Sequence, residues 1–282
     1  MKVLVTGATG FVGRHVIPQL LLRGHTVIAV ARDHNKASSF NWYDQVTFIP
    51  CNIHHLTGDI FHFFGLPDAI MHLAWDGLPN YNELFHFERN LFEDYQFIRV
   101  LIEGGARHFL ISGTCFEYGM RNGCLSEDMP PLPNNPYALA KDTLRKIITI
   151  ISKKENVTLQ WARLFYMYGD GQNRNSLISQ LDRAIDCGDP VFNMSGGEQL
   201  RDYLHVKDAA SKLVNLIENT QFSGIINVCS GVPISVRRLV EQHISQRRGN
   251  IQLNIGHYPY PNFEPMAFWG DTKKFSSIFG VK

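Results

Sequence analysis

Lys2-Val3-Leu4-Val5-Thr6-Gly7-Ala8-Thr9-Gly10-Phe11-Val12-Gly13 opens the chain and decides how the rest is read. Its first half, up to Thr6, is a short apolar run with a β-branched bias, the pattern of a strand. Gly7, Gly10 and Gly13 follow at three-residue spacing, and residues 11–23 have the pattern of a helix. Strand, glycine turn and helix in that order make the opening of a dinucleotide-binding unit. Gly7 supplies the tight turn, Gly10 admits a pyrophosphate to the backbone, and Gly13 lets the helix lie close to the strand. The free N–H groups and positive end of the helix then face phosphates. Gly7, Gly10, Phe11, Val12 and Gly13 are therefore expected at a cofactor, with Arg14 just beyond the turn able to assist.

The chain repeats this alternation. Residues 26–30, 46–49, 69–73, 107–111 and 158–163 read as strands. A long helix is expected over 82–103, ending at Gly104-Gly105, and another from Pro136 to about Glu155. Such alternation predicts an α/β fold: a Rossmann-type doubly wound parallel sheet covered on both faces. Beyond Gly169 the elements shorten and Gly, Asn and Pro increase. Residues 1–165 are read as the dinucleotide-binding domain, and 166–282 mainly as a smaller C-terminal substrate-binding lobe interwoven with it.

Composition limits the partners. The chain has 282 residues, 44% hydrophobic, with net charge +1, enough for a sizeable core and too neutral for a general nucleic-acid or membrane surface. Its five cysteines show no C-x-x-C spacing, which suits a reducing compartment. The twelve histidines are scattered, and the adjacent pair His54-His55 has no third ligand at a recognisable spacing, so no metal is expected. No stretch approaches the ~18 apolar residues of a membrane span. The first residues read as strand rather than secretory leader. A cytoplasmic protein is expected.

The end of the second strand reports on the cofactor. An acid there binds the adenosine ribose hydroxyls of NAD, whereas an arginine suits the 2′-phosphate of NADP. The position is Ala31, followed by Arg32 and Asp33. Arg32 favours NADP(H); Asp33, one residue on, leaves NAD(H) open.

The chemistry lies at Tyr137-Ala138-Leu139-Ala140-Lys141. Four-residue spacing on a helix puts phenol and ammonium on one face. An ammonium so placed stabilises a phenolate, which makes tyrosine a usable acid/base near neutrality. The helix follows a strand that ends in Ser112-Gly113-Thr114, and a hydroxyl at the carboxyl end of a strand lies in the crevice where open α/β sheets bind ligands.

Together, the glycine turn, Ser112-Gly113-Thr114 with Tyr118-Gly119, and Tyr137 with Lys141 resemble the extended short-chain dehydrogenase/reductases, which comprise NDP-sugar epimerases, dehydratases and 4-ketoreductases. The likeness runs through nearly the whole chain, including Arg163-Leu164-Phe165-Tyr166-Met167-Tyr168-Gly169 and Arg201-Asp202-Tyr203-Leu204-His205-Val206 with Asp208. It implies Tyr137 as proton donor/acceptor, Thr114 as hydrogen-bond partner of the reacting oxygen, and Lys141 as the residue that binds the nicotinamide ribose and tunes Tyr137. It also implies Leu73, Ala74, Trp75 and Asn90 at the cofactor, and Arg201 near the diphosphate of a nucleotide-sugar substrate. A homodimer is implied as well; Leu91, Tyr95, Ile98 and Ile102 of the long helix serve either a partner subunit or the core.

Departures from the family pattern narrow this. Its dehydratases carry Asp-Glu directly after the threonine; Cys115 and Phe116 stand here and cannot supply acid and base for water elimination. Glu117 lies one position on, where strand alternation turns it elsewhere. Asn52, with Ile53 beside it, occupies the place of an aspartate near the adenine and can still accept from the amino group. Tyr166 replaces an asparagine of the nucleotide-sugar segment. Tyr260-Pro261-Asn262-Phe263-Glu264 lacks the arginine usually offered to the diphosphate, leaving Arg201, with Arg174, Arg247 or Arg248 as further candidates. Trp75 and Tyr81 are placed to flank a sugar ring or to pack as lid or core. Cys115, in the substrate site, reads as a small buried filler more than a reactive thiol.

The expected activity is NAD(P)H-dependent reduction of the C4 keto group of a nucleotide-linked 4-keto-6-deoxyhexose, a step of deoxysugar biosynthesis. It rests on Arg32, on the missing acid pair, and on the likeness of residues 112–119 and of Phe268-Trp269-Gly270-Asp271 to reductases of this kind. The alternatives are an NDP-sugar 4-epimerase with tightly bound NAD and a non-catalytic cofactor-sensing protein. The sensor has no need of Thr114, Tyr137 and Lys141 together.

Overall fold

The computed structural model describes residues 1–260 and 264–280. Strands β1 (Lys2–Thr6), β2 (Thr26–Ala31), β3 (Thr47–Pro50), β4 (Ala69–His72) and β5 (His108–Thr114) lie in one sheet, and β6 (Gly123–Leu125) leaves it. The chain returns in β7 (Thr158–Leu164), builds β8 (Tyr166–Tyr168), β9 (Val191–Met194) and β10 (Leu200–His205) outside the sheet, and closes its edge with β11 (Gly224–Val228). The seven strands run β3-β2-β1-β4-β5-β7-β11, all parallel. Such a sheet needs cover on both faces, and the strands alternate accordingly. Val3 and Val5 pack into one layer with Val16, Ile17 and Leu20 of α1 (Gly13–Leu22). Leu4 and Ile70 pack into the other. Sequence order reverses between β1 and β4, so a crevice opens beyond their carboxyl ends, at Thr6 and His72.

After β2 come α2 (His34–Ser38) and α3 (Ile60–Phe63), and then α4 (Leu91–Glu103) and α5 (Pro136–Lys154). α4 and α5 cover the second face with Phe97, Ile98, Leu101, Ile102, Leu144 and Ile148. The long helix is shorter than the expected 82–103. Pro79 has no N–H to donate and Gly77 sits at φ +81°, so the chain turns here, and Tyr81 spends its carbonyl on the Tyr137 N–H at 3.1 Å. A wide turn at His86–Asn90 then leads into α4. Leu91, Ile98 and Ile102 are buried in the chain's own core; the apolar side chains that α4 and α5 leave exposed are Phe92, Val100, Leu139 and Ile150. Among the described residues, no helix is long and apolar enough to cross a membrane, and no cluster of three or more His, Cys, Asp or Glu could hold a metal ion.

The remaining elements are α6 (Leu177–Cys187), α7 (Val206–Glu218), β12 (Pro233–Ser235), α8 (Val236–Arg247), β13 (Gln252–Ile255), β14 (Phe268–Gly270) and α9 (Lys273–Phe279). They interlock with the elements before them. α7 packs beside α1 under the main sheet, and β14 pairs with β6. Buried Asp202 accepts from the N–H groups of Ser230, Gly231 and Gly270 at 2.7, 2.8 and 3.1 Å.

Candidate active site

Gly7 holds φ +69°, and a Cβ there would stand 2.8 Å from Ala74 N. A Cβ on Gly13 would come within 2.3 Å of Gly7 O. Both glycines therefore do what their spacing implied: one turns the chain, the other lets α1 lie against the turn. α1 starts at Gly13, later than expected, because Phe11 and Val12 belong to the turn, and no side chain caps its first N–H groups.

Two adjoining cavities open here. The smaller, about 500 Å³, is lined by Gly7, Gly10, Arg32, Lys36, Asn52, Ile53, Leu73, Ala74 and Trp75 among others. The larger, about 840 Å³, continues past Phe11, Val12 and Gly13 to Tyr81, Thr114, Cys115, Phe116, Tyr137 and Tyr166. The Cβ-free cradle, the uncapped helix end and a buried cation with no partner (Lys141, below) suit a dinucleotide laid from the smaller cavity into the larger.

Tyr137 and Thr114 line the larger cavity from two elements, while Lys141, one helical turn on from Tyr137, is buried and lines neither cavity. Asn135 starts α5 by accepting from Ala138 N–H at 2.9 Å, which fixes the Tyr137–Lys141 face. Thr114 ends β5; its hydroxyl accepts from Phe116 N–H at 3.2 Å and faces the same cavity as the Tyr137 phenol. Lys141 is 1% exposed; its Nζ sits 3.9 Å from the Trp75 ring centroid and makes no hydrogen bond. Burial pushes Lys141 down to about 8, opposed by the charges of Asp94 and Glu117. Tyr137 goes the other way: burial, with Tyr81, Glu117 and Cys115 around it, pushes the phenol well above its ordinary value. The expectation that Lys141 alone lowers Tyr137 is therefore corrected, because desolvation outweighs it in the protein by itself.

Glu117 lies in a helical turn after β5 rather than on the strand, and it is buried. It accepts from Thr114 N–H at 2.9 Å, Trp161 Nε1 at 2.9 Å and Arg163 Nε at 2.7 Å. Cys115 is buried, and burial raises its thiol, so it is a filler. Asp33 spends its carboxylate on Lys36 N–H, capping α2, and lines neither cavity, whereas Arg32 and Lys36 line the smaller one. Arg32 is exposed and pairs with Asp76 at 3.1 Å.

Three expected contacts are displaced. Asn90 is buried behind the wall and donates to Asp76 O at 3.0 Å rather than facing the cofactor. Arg14 pairs with Asp170 at 3.4 Å over the Phe40 ring and lines neither cavity. Arg201 is 3% exposed, held by Glu264 at 2.9 Å, by the carbonyls of Leu200 and Met266, and by the Phe268 face. Its partner is neither Asp202 nor Asp208, and Glu264, not Arg201, reaches the cavity. Among the described residues no arginine lines the larger cavity; Arg174 and Arg248 are absent from it, and Arg247 pairs with Asp182 and Asp186. Residues 261–263 of the arginine-free stretch lie outside the described residues.

Sequence reading missed Lys36, whose role depends on how α2 returns to the crevice. It also missed Gln172, Asn173 and Asn175, polar loop residues on the cavity rim. A third omission was Asp94, an acid inside an otherwise apolar helix face, which was the available signal.

Residues 3–229 match the family described as NAD dependent epimerase/dehydratase. The chain belongs to that family. It is 31% identical over 279 residues to the dTDP-6-deoxy-L-talose 4-dehydrogenase (NAD(+)) of Aggregatibacter actinomycetemcomitans, covering 96% of this chain and 99% of that one. It is 25% identical to the GDP-6-deoxy-D-talose 4-dehydrogenase of the same organism, covering 99% and 92%. The structure of MoeE5 in complex with UDP-glucuronic acid and NAD superposes with a TM-score of 0.84 at 25% identity, covering 100% and 93%.

Proposed function

We propose that the chain reduces the C4 keto group of a nucleotide-linked 4-keto-6-deoxyhexose, using NAD(P)H. The observation that carries this is that Thr114 and Tyr137 line one cavity with buried Lys141 a helical turn from Tyr137, and that Cys115 and Phe116, not an acid pair, follow Thr114. Two relatives are named for oxidising a 6-deoxytalose at C4, and reduction is that reaction reversed.

When bound, the nicotinamide supplies hydride to C4. Tyr137 donates its hydroxyl proton to the carbonyl oxygen as charge builds there, and Thr114 holds that oxygen. Lys141 stabilises the phenolate left on Tyr137. Its burial strengthens that attraction. One hydride and one proton convert the ketone to the alcohol. Trp75, Tyr81 and Phe116 exclude water and offer apolar surface to a deoxygenated sugar. NADP(H) is favoured by Arg32 and Lys36 in the smaller cavity and by the engagement of Asp33 elsewhere. A cytoplasmic setting suits five free cysteines, and a homodimer suits the exposed Phe92, Val100, Leu139 and Ile150.

Transfer from deuterated cofactor tests the reaction. Product carrying deuterium at C4, one per cofactor oxidised, is expected. Inverted sugar without net cofactor oxidation would make the chain a 4-epimerase instead. Bound cofactor with no transfer to any nucleotide sugar would leave a binding protein.

A further inference from the structure

Behind the catalytic helix lies a buried set of polar groups that the chemistry above leaves unused. Asp94, on α4, is 1% exposed. Its Oδ1 accepts from His54 Nε2 at 2.7 Å and lies 3.3 Å from His72 Nε2. His72 in turn bonds Thr6 Oγ1 through Nδ1 at 2.9 Å, and Thr6 Oγ1 accepts from Ala74 N–H at 3.3 Å, beside the glycine turn. Three buried atoms here have no hydrogen-bond partner: His72 Nε2, Asp94 Oδ2 and Lys141 Nζ.

An ammonium this deeply buried needs a negative charge close by. Two buried carboxylates stand on the elements packed against α5, neither in direct ion-pair contact with Lys141: Asp94 on α4 and Glu117 on the turn after β5. Glu117 is already neutralised by Arg163 at 2.7 Å, with Arg145 3.8 Å away. Asp94 has only imidazoles at hand. Of these, His54 is also bonded to Glu93 at 3.1 Å and lies in the field of Asp76. On the other side of Lys141 stand the Trp75 ring and, beyond it, His86, which donates to no acid and is held by Trp75 and the Asn80 carbonyl.

We infer that Asp94 is the buried counter-charge that keeps Lys141 a cation at neutral pH, which makes Asp94 a positioning residue for the proton of Tyr137. The inference rests on the assignment of Tyr137 and Lys141 above. The titration tendencies agree with it. Burial opposes ionisation of Asp94, but His72, His54 and Lys141 outweigh it and hold the carboxyl well below the ordinary range. Lys141, already brought down to about 8, has little margin at neutrality without that charge.

The test reads Lys141 directly, in the full-length protein without cofactor. Nζ and Cε resonances of isotope-labelled lysine are titrated, and Lys141 is assigned by its loss in Lys141→Arg. Asp94→Asn should lower the Lys141 midpoint by about one pH unit or more, a tenfold change in its charged-to-neutral ratio. Asp94→Thr, of similar volume, should do the same if the asparagine variant does not fold, and Asp94→Glu should restore most of the shift. An unmoved midpoint in the folded uncharged variants overturns the inference. The alkaline limb of turnover should move to lower pH by the same amount. A shifted midpoint in a protein that reduces no keto sugar would keep the counter-charge and discard the proposed reaction. Reduction with an unmoved midpoint would do the reverse.

Discussion

Tyr137 is a phenol in a place that resists its ionisation, and it is useful for that reason. A buried, protonated phenol is a donor waiting for an oxygen that gains negative charge, and in the proposed reaction Lys141 makes the resulting phenolate tolerable. Tyr137→Phe should lower kcat by roughly 10²–10⁴-fold and leave cofactor affinity nearly intact, as equilibrium titration of cofactor fluorescence would register. Full activity in that variant would remove Tyr137 from the chemistry. At the other end, Arg32→Ala should raise the KM for NADPH far more than that for NADH; equal effects would mean that Arg32 is only a surface partner of Asp76. That Thr114, Tyr137 and Lys141 form a set was legible in the sequence because each is placed locally, by a helix period or a strand end. Arg14, Asn90 and Arg201 were not, because a planar cation or an amide takes the partner that tertiary packing brings. Those partners were Asp170, the Asp76 carbonyl and Glu264.

At the scale of elements, the glycine turn and the turn after β5 hold the site. Gly13→Ala would drive a Cβ into Gly7 O at 2.3 Å, so α1 must move off the turn. A loss of about 1–3 kcal/mol in urea unfolding and weakened dinucleotide binding should follow; an unchanged cofactor Kd would mean that the turn tolerates more than its geometry allows. Glu117 closes a capping box with Thr114 and carries buried Arg163, so Glu117→Ala should cost roughly 3–5 kcal/mol. A variant as stable as the parent would show that Arg163 finds another partner. The strand–turn–helix order and the reach of α5 could be read from periodicity and from Pro136. The entry to α4 could not, since periodicity continues through residues 82–90 while Tyr81, just before them, gives its carbonyl to Tyr137 N–H and a wide turn at His86–Asn90 precedes α4.

Over the whole molecule, one parallel sheet with two covered faces places every reactive group beyond the carboxyl ends of its strands. Alternation of strand and helix announced that architecture. The pairing of β6 with β14, far apart in the sequence, had no local signal. Burial of Lys141 also makes global stability depend on pH. Its value is near 8 in the folded protein against 10.5 unperturbed. Between those values the unfolded chain holds a proton that the native state has released, so this group makes stability rise with pH across that window. Its full cost is felt below it. Lys141→Met removes the slope. The stability of the variant relative to the parent should therefore fall by roughly 2–3 kcal/mol from pH 8 to 10.5. A constant difference would mean that Lys141 is not desolvated.

The most direct measurement is absorbance at the NADPH band while dTDP-, CDP-, GDP- and UDP-linked 4-keto-6-deoxy sugars are offered in turn. Steady loss of reduced cofactor with one of them, abolished in Tyr137→Phe, is the predicted result. No loss with any of them, together with co-purifying cofactor and a nucleotide sugar that changes configuration, would contradict the reductase and turn Arg32 back into a surface charge.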